Sequence, residues 1–336
     1  MQIATISDDG VQKTVVRRHD GRLVEIPVAD VVASQSPGVS KWRCSDMRRL
    51  IMAWSPAVAD VLVEHVAAAT ESLAPETVEW LPPVVDPGKI CGVAMNNSAS
   101  NARKIAAPSH PAFFIKPSSS LVGHGQPIVV QRYYGSVHPE PELAVVIGRQ
   151  IRKAVPEEVA DAVFGFTIVN DVTGNAMRAE DRFHYYALYS SDDDDGELKR
   201  VEQHLSYAAR YKGSDTFCAA GPFITLAAAI ENPDALGVSC WVGDEKIADD
   251  NTRYYNYKVA EVLSFLSYFQ TLYPGDIVSL GTAFKPGATR KSIHHADFQR
   301  TAGPVAIEID GLGRLENPVS VEDGQLGRWR LENDRA

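Results

Sequence analysis

Two glutamates two residues apart, Glu140 and Glu142, run directly into an uninterrupted apolar stretch, Leu143-Ala144-Val145-Val146-Ile147. The apolar run reads as a strand, and side chains alternate across a strand, so the spacing predicts that both carboxylates face the same way. Like charges held side by side against a core repel. A cation between them relieves the repulsion, and ligation by oxygen alone suits a hard divalent ion. The alternative is an exposed strand end, to which Pro139 and Pro141 add weight because proline cannot donate to a ladder. Further on, Phe164-Gly165-Phe166-Thr167-Ile168-Val169-Asn170-Asp171-Val172-Thr173 is a second β-branched and aromatic run. Laid beside the first, it adds Asp171 as a third acidic ligand.

With these stretches the chain resembles the fumarylacetoacetate hydrolase (FAH) family. Its members carry E-x-E, then a glycine-aromatic strand ending N-D-V-[ST], then K-x-x-D-T-F-x-x-x-G-P and a late G-D-x-x-x-x-G-T. The later two motifs read Lys212-Gly213-Ser214-Asp215-Thr216-Phe217-Cys218-Ala219-Ala220-Gly221-Pro222 and Gly275-Asp276-Ile277-Val278-Ser279-Leu280-Gly281-Thr282. The resemblance runs from residue 89 to 319. It implies an α+β, mainly β fold, with a mixed β-sandwich or roll as catalytic domain over 89–330 and a small β-rich domain over 1–80. It also implies that Glu140, Glu142 and Asp171 hold a divalent metal, Mg²⁺ first, with Mn²⁺ or Ca²⁺ as alternatives. Lys212 then faces the metal site, offsetting its negative charge and donating to a carboxylate or enolate oxygen. Thr282 falls where the family holds the substrate carboxylate, and Lys116 in Phe114-Ile115-Lys116-Pro117 falls in a segment that shapes the pocket. Gly174-Asn175-Ala176-Met177-Arg178 stands where many relatives have A-R-D-x-Q, so a substrate-facing arginine is replaced by Asn175 or displaced to Arg178. A homodimer is the implied assembly. Lys116 as a solvated strand-end lysine and Thr282 as a purely structural residue are the competing readings.

A net charge of −10 argues against a nucleic-acid partner, since phosphate binding needs a basic surface. An anionic substrate must therefore meet positive charge supplied locally. Cys44, Cys91, Cys218 and Cys240 are isolated and show no metal spacing, which fits a reducing cytoplasm. The amino terminus lacks a basic start before an apolar core, and no apolar run approaches the roughly eighteen residues of a membrane span.

In chain order, Gln2 to Ser7, Thr14 to Arg18 and Leu23 to Val28 read as strands parted by turns at Asp8-Asp9-Gly10 and His19-Asp20-Gly21. Met47, Leu50, Ile51, Trp54, Val58, Val61, Leu62 and Val66 have helical spacing, divided at Ser55-Pro56. The small domain thus has one or two helices. Residues 81–88, rich in proline, form the linker. Between Asp171 and Lys212 lies an insertion-like segment with His184-Tyr185-Tyr186, a solvated acid run Asp192 to Asp195, and a helical stretch from Glu197 to Tyr211. Its aromatic part is placed to wall the pocket and set specificity. Ser239 to Ile247 reads as a hairpin turning at Gly243-Asp244. Val259 to Thr271 reads as a helix whose Val262, Leu263, Phe265, Leu266 and Phe269 face the core. The last strand, Pro304 to Ile309, leads to a turn and a polar tail.

The largest departure from the family follows Lys89-Ile90-Cys91-Gly92-Val93-Ala94-Met95-Asn96-Asn97. There the family carries a His and a Glu as an acid-base pair; here Ser100 and Arg103 take those places. Neither activates water near neutral pH. His138, two residues before Glu140, is the candidate substitute; His110, His124, His184, His294 and His295 remain open.

An α-keto acid chelates a metal through its carboxylate and keto oxygens, and breaking a bond beyond the ketone sends electrons to the keto oxygen. The first expectation is a metal-dependent hydrolase cleaving the C–C bond of an acylpyruvate-type β-diketo acid through a metal-stabilised enolate. The second is a lyase of the same family, either a 2-keto-3-deoxy sugar-acid dehydratase or an oxaloacetate-type decarboxylase. The missing pair and the Pro139-Glu140-Pro141-Glu142 form favour the second, while Lys212 to Pro222 follows the hydrolase form. A third expectation, from another class, is a non-catalytic relative that binds keto acids.

Overall fold

The computed structural model describes residues 1–35, 44–190, 198–286, 293–301 and 303–326. The acid run Asp192 to Asp195 lies outside them, as do the side chains of Arg103 and His294.

The apolar run following the two glutamates becomes the strand Pro141–Ile147, buried along its whole length. Such a strand needs cover on both faces, and alternation supplies it. Leu143, Val145 and Ile147 pack in one core with Val238, Cys240, Val305 and Ile307 of a four-stranded sheet and with Leu263 and Leu266 of the helix Val259–Phe269. Ala144 and Val146 face the other way, into a core with Met47, Leu50, Ile51, Val58 and Leu62 from two N-terminal helices. The result is the expected mixed, strand-dominated architecture.

The strand lies inside an eleven-stranded sheet, between Val163–Asp171 and Ile277–Thr282. Both neighbours run antiparallel to it, with Glu142 opposite Val169 on one side and Thr282 on the other. Beyond Ile277–Thr282 comes Ile90–Ala94, in parallel, then Ala112–Lys116. On the far side, Cys218–Leu226 joins Val163–Asp171 to the N-terminal strands, with Gln2 paired to Thr225 and Ile3 to Ile224. The 1–80 segment and the 89–330 segment therefore share one hydrogen-bonded sheet.

The expected break at Ser55-Pro56 separates the helices Asp46–Ala53 and Pro56–Ala68. Ser55 caps the second: its hydroxyl accepts from the Val58 amide at 3.3 Å, an interaction that contributes about 1 kcal/mol. The hairpin at Gly243-Asp244 also forms, with Val242 opposite Glu245.

Four expectations are corrected. Val28 starts a helix, Val28–Gln35, instead of ending a strand, so the N-terminal segment has a third helix. The stretch expected to be helical from Glu197 contains the strand Leu198–Ser206, paired along its length with Arg182–Ser190. Pairing with this aromatic partner, which the local sequence does not reveal, overrides the helix propensity of its Lys, Arg, Glu and Gln residues. Phe269 lies 67% exposed at the helix end, off the core stripe. The expected polar tail contains two further strands, Gly313–Asn317 and Val319–Glu322, the second pairing in parallel with Ile128–Gln131.

Candidate metal centre

Glu140 lies just before Pro141–Ile147, whereas His138 ends a separate two-residue strand, so the stretch from His138 is not one continuous strand. The Asp171 amide donates to the Glu140 carbonyl at 2.9 Å, and the Glu140 amide donates to Asn170 Oδ1 at 3.0 Å. These bonds lock the end of one strand against the end of the next. Glu140, Glu142 and Asp171 each offer an oxygen within 4.8 Å of the others. Glu142 and Asp171 are buried, and the Glu140 side chain is 17% exposed, so the cluster opens on the Glu140 side.

Ile277–Thr282 completes the cradle. Its register slips against Pro141–Ile147 between Glu142 and Ala144. That irregularity aims three donors at one carboxylate: Ser279 Oγ donates to Glu142 Oε2 at 2.5 Å, the Gly281 amide to the same oxygen at 3.1 Å, and Thr282 Oγ1 to Oε1 at 3.4 Å. Thr282 Oγ1 also lies 3.3 Å from Glu140 Oε2. Gly281 has φ +89°, and a Cβ there would stand 2.8 Å from the Val93 carbonyl oxygen, so only glycine fits.

Two lysines meet the acids. Lys212, on the short helix Ala209–Gly213, places Nζ 2.5 Å from Asp171 Oδ2 and 3.2 Å from Glu140 Oε2, bridging them as a cation does. Lys116, at the end of Ala112–Lys116, is buried; its Nζ lies 2.5 Å from Asp171 Oδ1 and donates to the Lys212 carbonyl. Phe114 supports the arrangement, its ring centroid 5.2 Å from Lys212 Nζ. Phe114 in turn lies against Gly92, where a Cβ would stand 2.4 Å from the ring.

Charge explains how the acids divide. Two unit charges about 4 Å apart at an effective dielectric near 20 interact by about 4 kcal/mol, so three ionised carboxylates balanced by two ammoniums leave one costly negative charge. Burial pushes Glu142 well above the usual carboxylate range, and Asp171 and Glu140 beside it push further. Burial acts on Glu140 in the same direction, yet the Lys212 ammonium and His138 hold it well below that range. Burial also works against the charge on Lys212, but Asp171, Glu140 and Glu142 outweigh it and keep the ammonium protonated. A divalent cation relieves the repulsion that adds to burial in raising Glu142. The donor set, all carboxylate oxygen, thus fits a hard ion.

His138 is buried, and its Nε2 lies 3.2 Å from Glu140 Oε1, which also accepts from Thr173 Oγ1 at 2.8 Å. The structure therefore gathers Glu140, Glu142, Asp171, Lys212, Lys116, His138 and Thr282. Lys116 spends its ammonium on Asp171 and a carbonyl rather than on open space. Arg178 stands apart, exposed on the helix Asn175–Glu180, where it lines a hollow of about 470 Å³ with Asn175, Arg182 and His204. Of the other histidines, His110 stacks on Phe265, His124 accepts from the Glu316 amide, His184 stacks on His204, and His295 is exposed. Ser100 is buried, its hydroxyl donating to Asn97 Oδ1 at 2.6 Å. Cys218 pairs opposite Asp171 in the sheet, but burial pushes its thiol up to about 12, which removes it as a nucleophile.

Ser279, Asn170 and Thr173 also hydrogen-bond the two glutamates of the cluster, and sequence reasoning does not single them out. All lie within the motifs already quoted, and the period of two puts Ser279 on the face of Gly281 in its strand.

The family model for the fumarylacetoacetate (FAA) hydrolase C-terminal region matches residues 89–320. The chain is 31% identical to the mitochondrial oxaloacetate tautomerase Fahd2a of Rattus norvegicus over 77% of this chain and 75% of that one. The corresponding Xenopus laevis protein is 29% identical over 74% of this chain and 70% of its own. Among solved structures, maleylpyruvate hydrolase from Sphingobium sp. SYK-6, in complex with manganese(II) and pyruvate, superposes with a TM-score of 0.67 at 26% identity, covering 97% of this chain and all of that one. Fumarylacetoacetate hydrolase from Exiguobacterium antarcticum shares the fold, with a TM-score of 0.69. The matched region contains the whole carboxylate cluster and both lysines, and the chain belongs to the fumarylacetoacetate hydrolase family.

Proposed function

We propose that the protein is a divalent-metal-dependent enzyme that moves a proton on a small 2-oxo acid, interconverting its keto and enol forms, with an oxaloacetate-like dicarboxylate as substrate. The convergence of Glu140, Glu142 and Asp171 around the Lys212 ammonium carries this reading. An ion held by these carboxylates, Mg²⁺ or Mn²⁺ from the donor set, would polarise a bound ketone. Lys212, kept protonated by its acidic neighbours, donates to the oxygen on which charge develops. With Glu142 ionised and the ion in place, the cluster carries net positive charge and attracts an anionic substrate. Thr282 receives the substrate carboxylate, Lys116 holds Asp171 in position, and His138, buried beside Glu140, carries the proton.

Ser100 supports a proton shift over hydrolysis, because tautomerisation needs no activated water and the Ser100 hydroxyl is engaged by Asn97. Similarity to the two oxaloacetate tautomerases supports it too. C–C hydrolysis of an acylpyruvate is the second reading, favoured by the likeness to maleylpyruvate hydrolase. For the chain as a whole we keep 1–80 as a packing unit, 81–88 as linker and 89–330 as the catalytic unit. A homodimer in the cytoplasm is the proposed state, the first part testable by light scattering. No helix among the described residues is long and apolar enough to cross a membrane.

The test is incubation with Mg²⁺ or Mn²⁺ and a panel of oxaloacetate, acylpyruvates and 2-keto-3-deoxy acids. Faster loss of enol-oxaloacetate absorbance, much reduced in Lys212→Met, is expected. Release of pyruvate and an acid would put hydrolysis first, and release of CO₂ or water would put the lyase branch first. No turnover of any member would overturn an enzymatic reading and leave a keto-acid-binding relative.

A further inference from the structure

The strands Arg182–Ser190 and Leu198–Ser206 bring together a second set of donors, unrelated to the acidic centre. In their antiparallel register His184 lies directly opposite His204, and Tyr186 opposite Glu202. Alternation then puts His184, His204 and Glu202 on one face of the hairpin. The two imidazoles stack with centroids 4.1 Å apart and planes within 18°. His184 Nε2 lies 2.5 Å from Glu202 Oε1, and one donor atom from each residue falls within 4.8 Å of the other two. All three side chains are exposed, so an ion reaches them without unfolding and finds coordination positions open to water.

We propose that His184, Glu202 and His204 form a second metal site, selective for a borderline transition ion of the Zn²⁺ type. Two imidazoles and one carboxylate suit zinc, nickel, cobalt or copper, whereas Mg²⁺ and Ca²⁺ prefer oxygen alone. Without the ion, His184 and Glu202 satisfy one another through a hydrogen bond, which a metal replaces. An Arg182 Nη2 hydrogen bond to His204 Nδ1 at 2.8 Å sets a competing cation beside the site. The position gives the site a structural consequence. The hairpin is inserted between the segment bearing Asp171 and the helix bearing Lys212, and Arg210 ties its base to Glu180 at 2.7 Å and Asp181 at 2.9 Å. A metal across His184 and His204 cross-links the two strands close to that base.

Equilibrium dialysis of the full chain against Zn²⁺, and visible spectra with Co²⁺, test the assignment. The wild type is expected to bind one more equivalent of Zn²⁺ than the His184→Ala/His204→Ala double variant, and Glu142→Ala to retain that equivalent. Co²⁺ should give the absorption of nitrogen-ligated, low-coordinate cobalt in the wild type and lose it in the double variant, a comparison that stands even if Glu142→Ala fails to fold. Arg182→Ala, which frees His204 Nδ1 and removes a positive charge, should bind Zn²⁺ several-fold more tightly. Equal zinc stoichiometry in the wild type and the histidine variant, a cobalt spectrum untouched by the substitutions, or weaker binding in Arg182→Ala would overturn the site.

Discussion

The two donor clusters differ in what surrounds them. The carboxylates of the sheet are buried or nearly so; without an ion, Lys116 and Lys212 pair with them while Glu142 is raised well above the usual carboxylate range. The donors of the hairpin, one carboxylate and two imidazoles, lie in water, where charges interact by only about 1 kcal/mol at 4 Å, and need no such compensation. Burial therefore turns an ordinary set of acids into a site with strong demands on charge, while exposure leaves His184, Glu202 and His204 as a site only by virtue of donor type. The contrast teaches that the chemistry of the first cluster is written in its neighbours, and that of the second in its own atoms.

The sharpest way to break the comparison is Glu142→Ala. Elemental analysis after dialysis should show the ion of the buried centre gone, and turnover with it; unchanged metal content would end the ligand assignment. Next come the two lysines. Lys212→Met is expected to lower turnover by about 10²–10³-fold in the ion-loaded protein, measured by steady-state kinetics. Lys116→Met should instead cost about 3–5 kcal/mol in urea unfolding, because it strips a buried carboxylate of a partner. If both variants lost only stability, Lys212 would be structural.

Titration sharpens the comparison further. Glu142 is raised in the folded, metal-free protein, so above the usual carboxylate range the folded state holds a proton that the unfolded state has released. Its contribution to stability is fully present below that range and is lost as pH rises through the folded pKa, the reverse of an ordinary ion-paired carboxylate. Metal-free protein should therefore melt at progressively lower temperature as pH rises above the usual carboxylate range, and a divalent ion should remove that slope. A melting temperature indifferent to chelator across the range would contradict this account. The smallest effect is expected on the hairpin. Tyr185→Ala and Tyr186→Ala, both at exposed positions, should each change stability by less than about 0.5 kcal/mol, while a changed substrate preference would support a role in specificity. A larger stability loss would mean that cross-strand contacts of these tyrosines, such as the Tyr185 hydroxyl on Gln203, hold the hairpin together.

Much of the buried centre is legible in the sequence. Glu142 and Asp171 lie in β-patterned runs whose alternation needs no tertiary information, Glu140 lies just ahead of the first run, and Lys212 lies in a motif with fixed spacing. Lys116 is not legible in its true place, since a lysine at a strand end has the same local signature whether it reaches solvent or Asp171. The hairpin escapes a local reading for a related reason. Leu198 to Ser206 is rich in helix formers, and only its ladder with Arg182–Ser190 makes it a strand.

Alone, then, the order of residues determined the strand periods, the helix break at Ser55-Pro56 and the acidic character of the centre, because each depends on neighbours within a few positions. Tertiary structure decided which cation meets which acid, which glutamate is raised and which lowered, and that His184 faces His204 across two strands. Those outcomes depend on distances of a few ångströms between segments far apart in the chain, which no local pattern encodes.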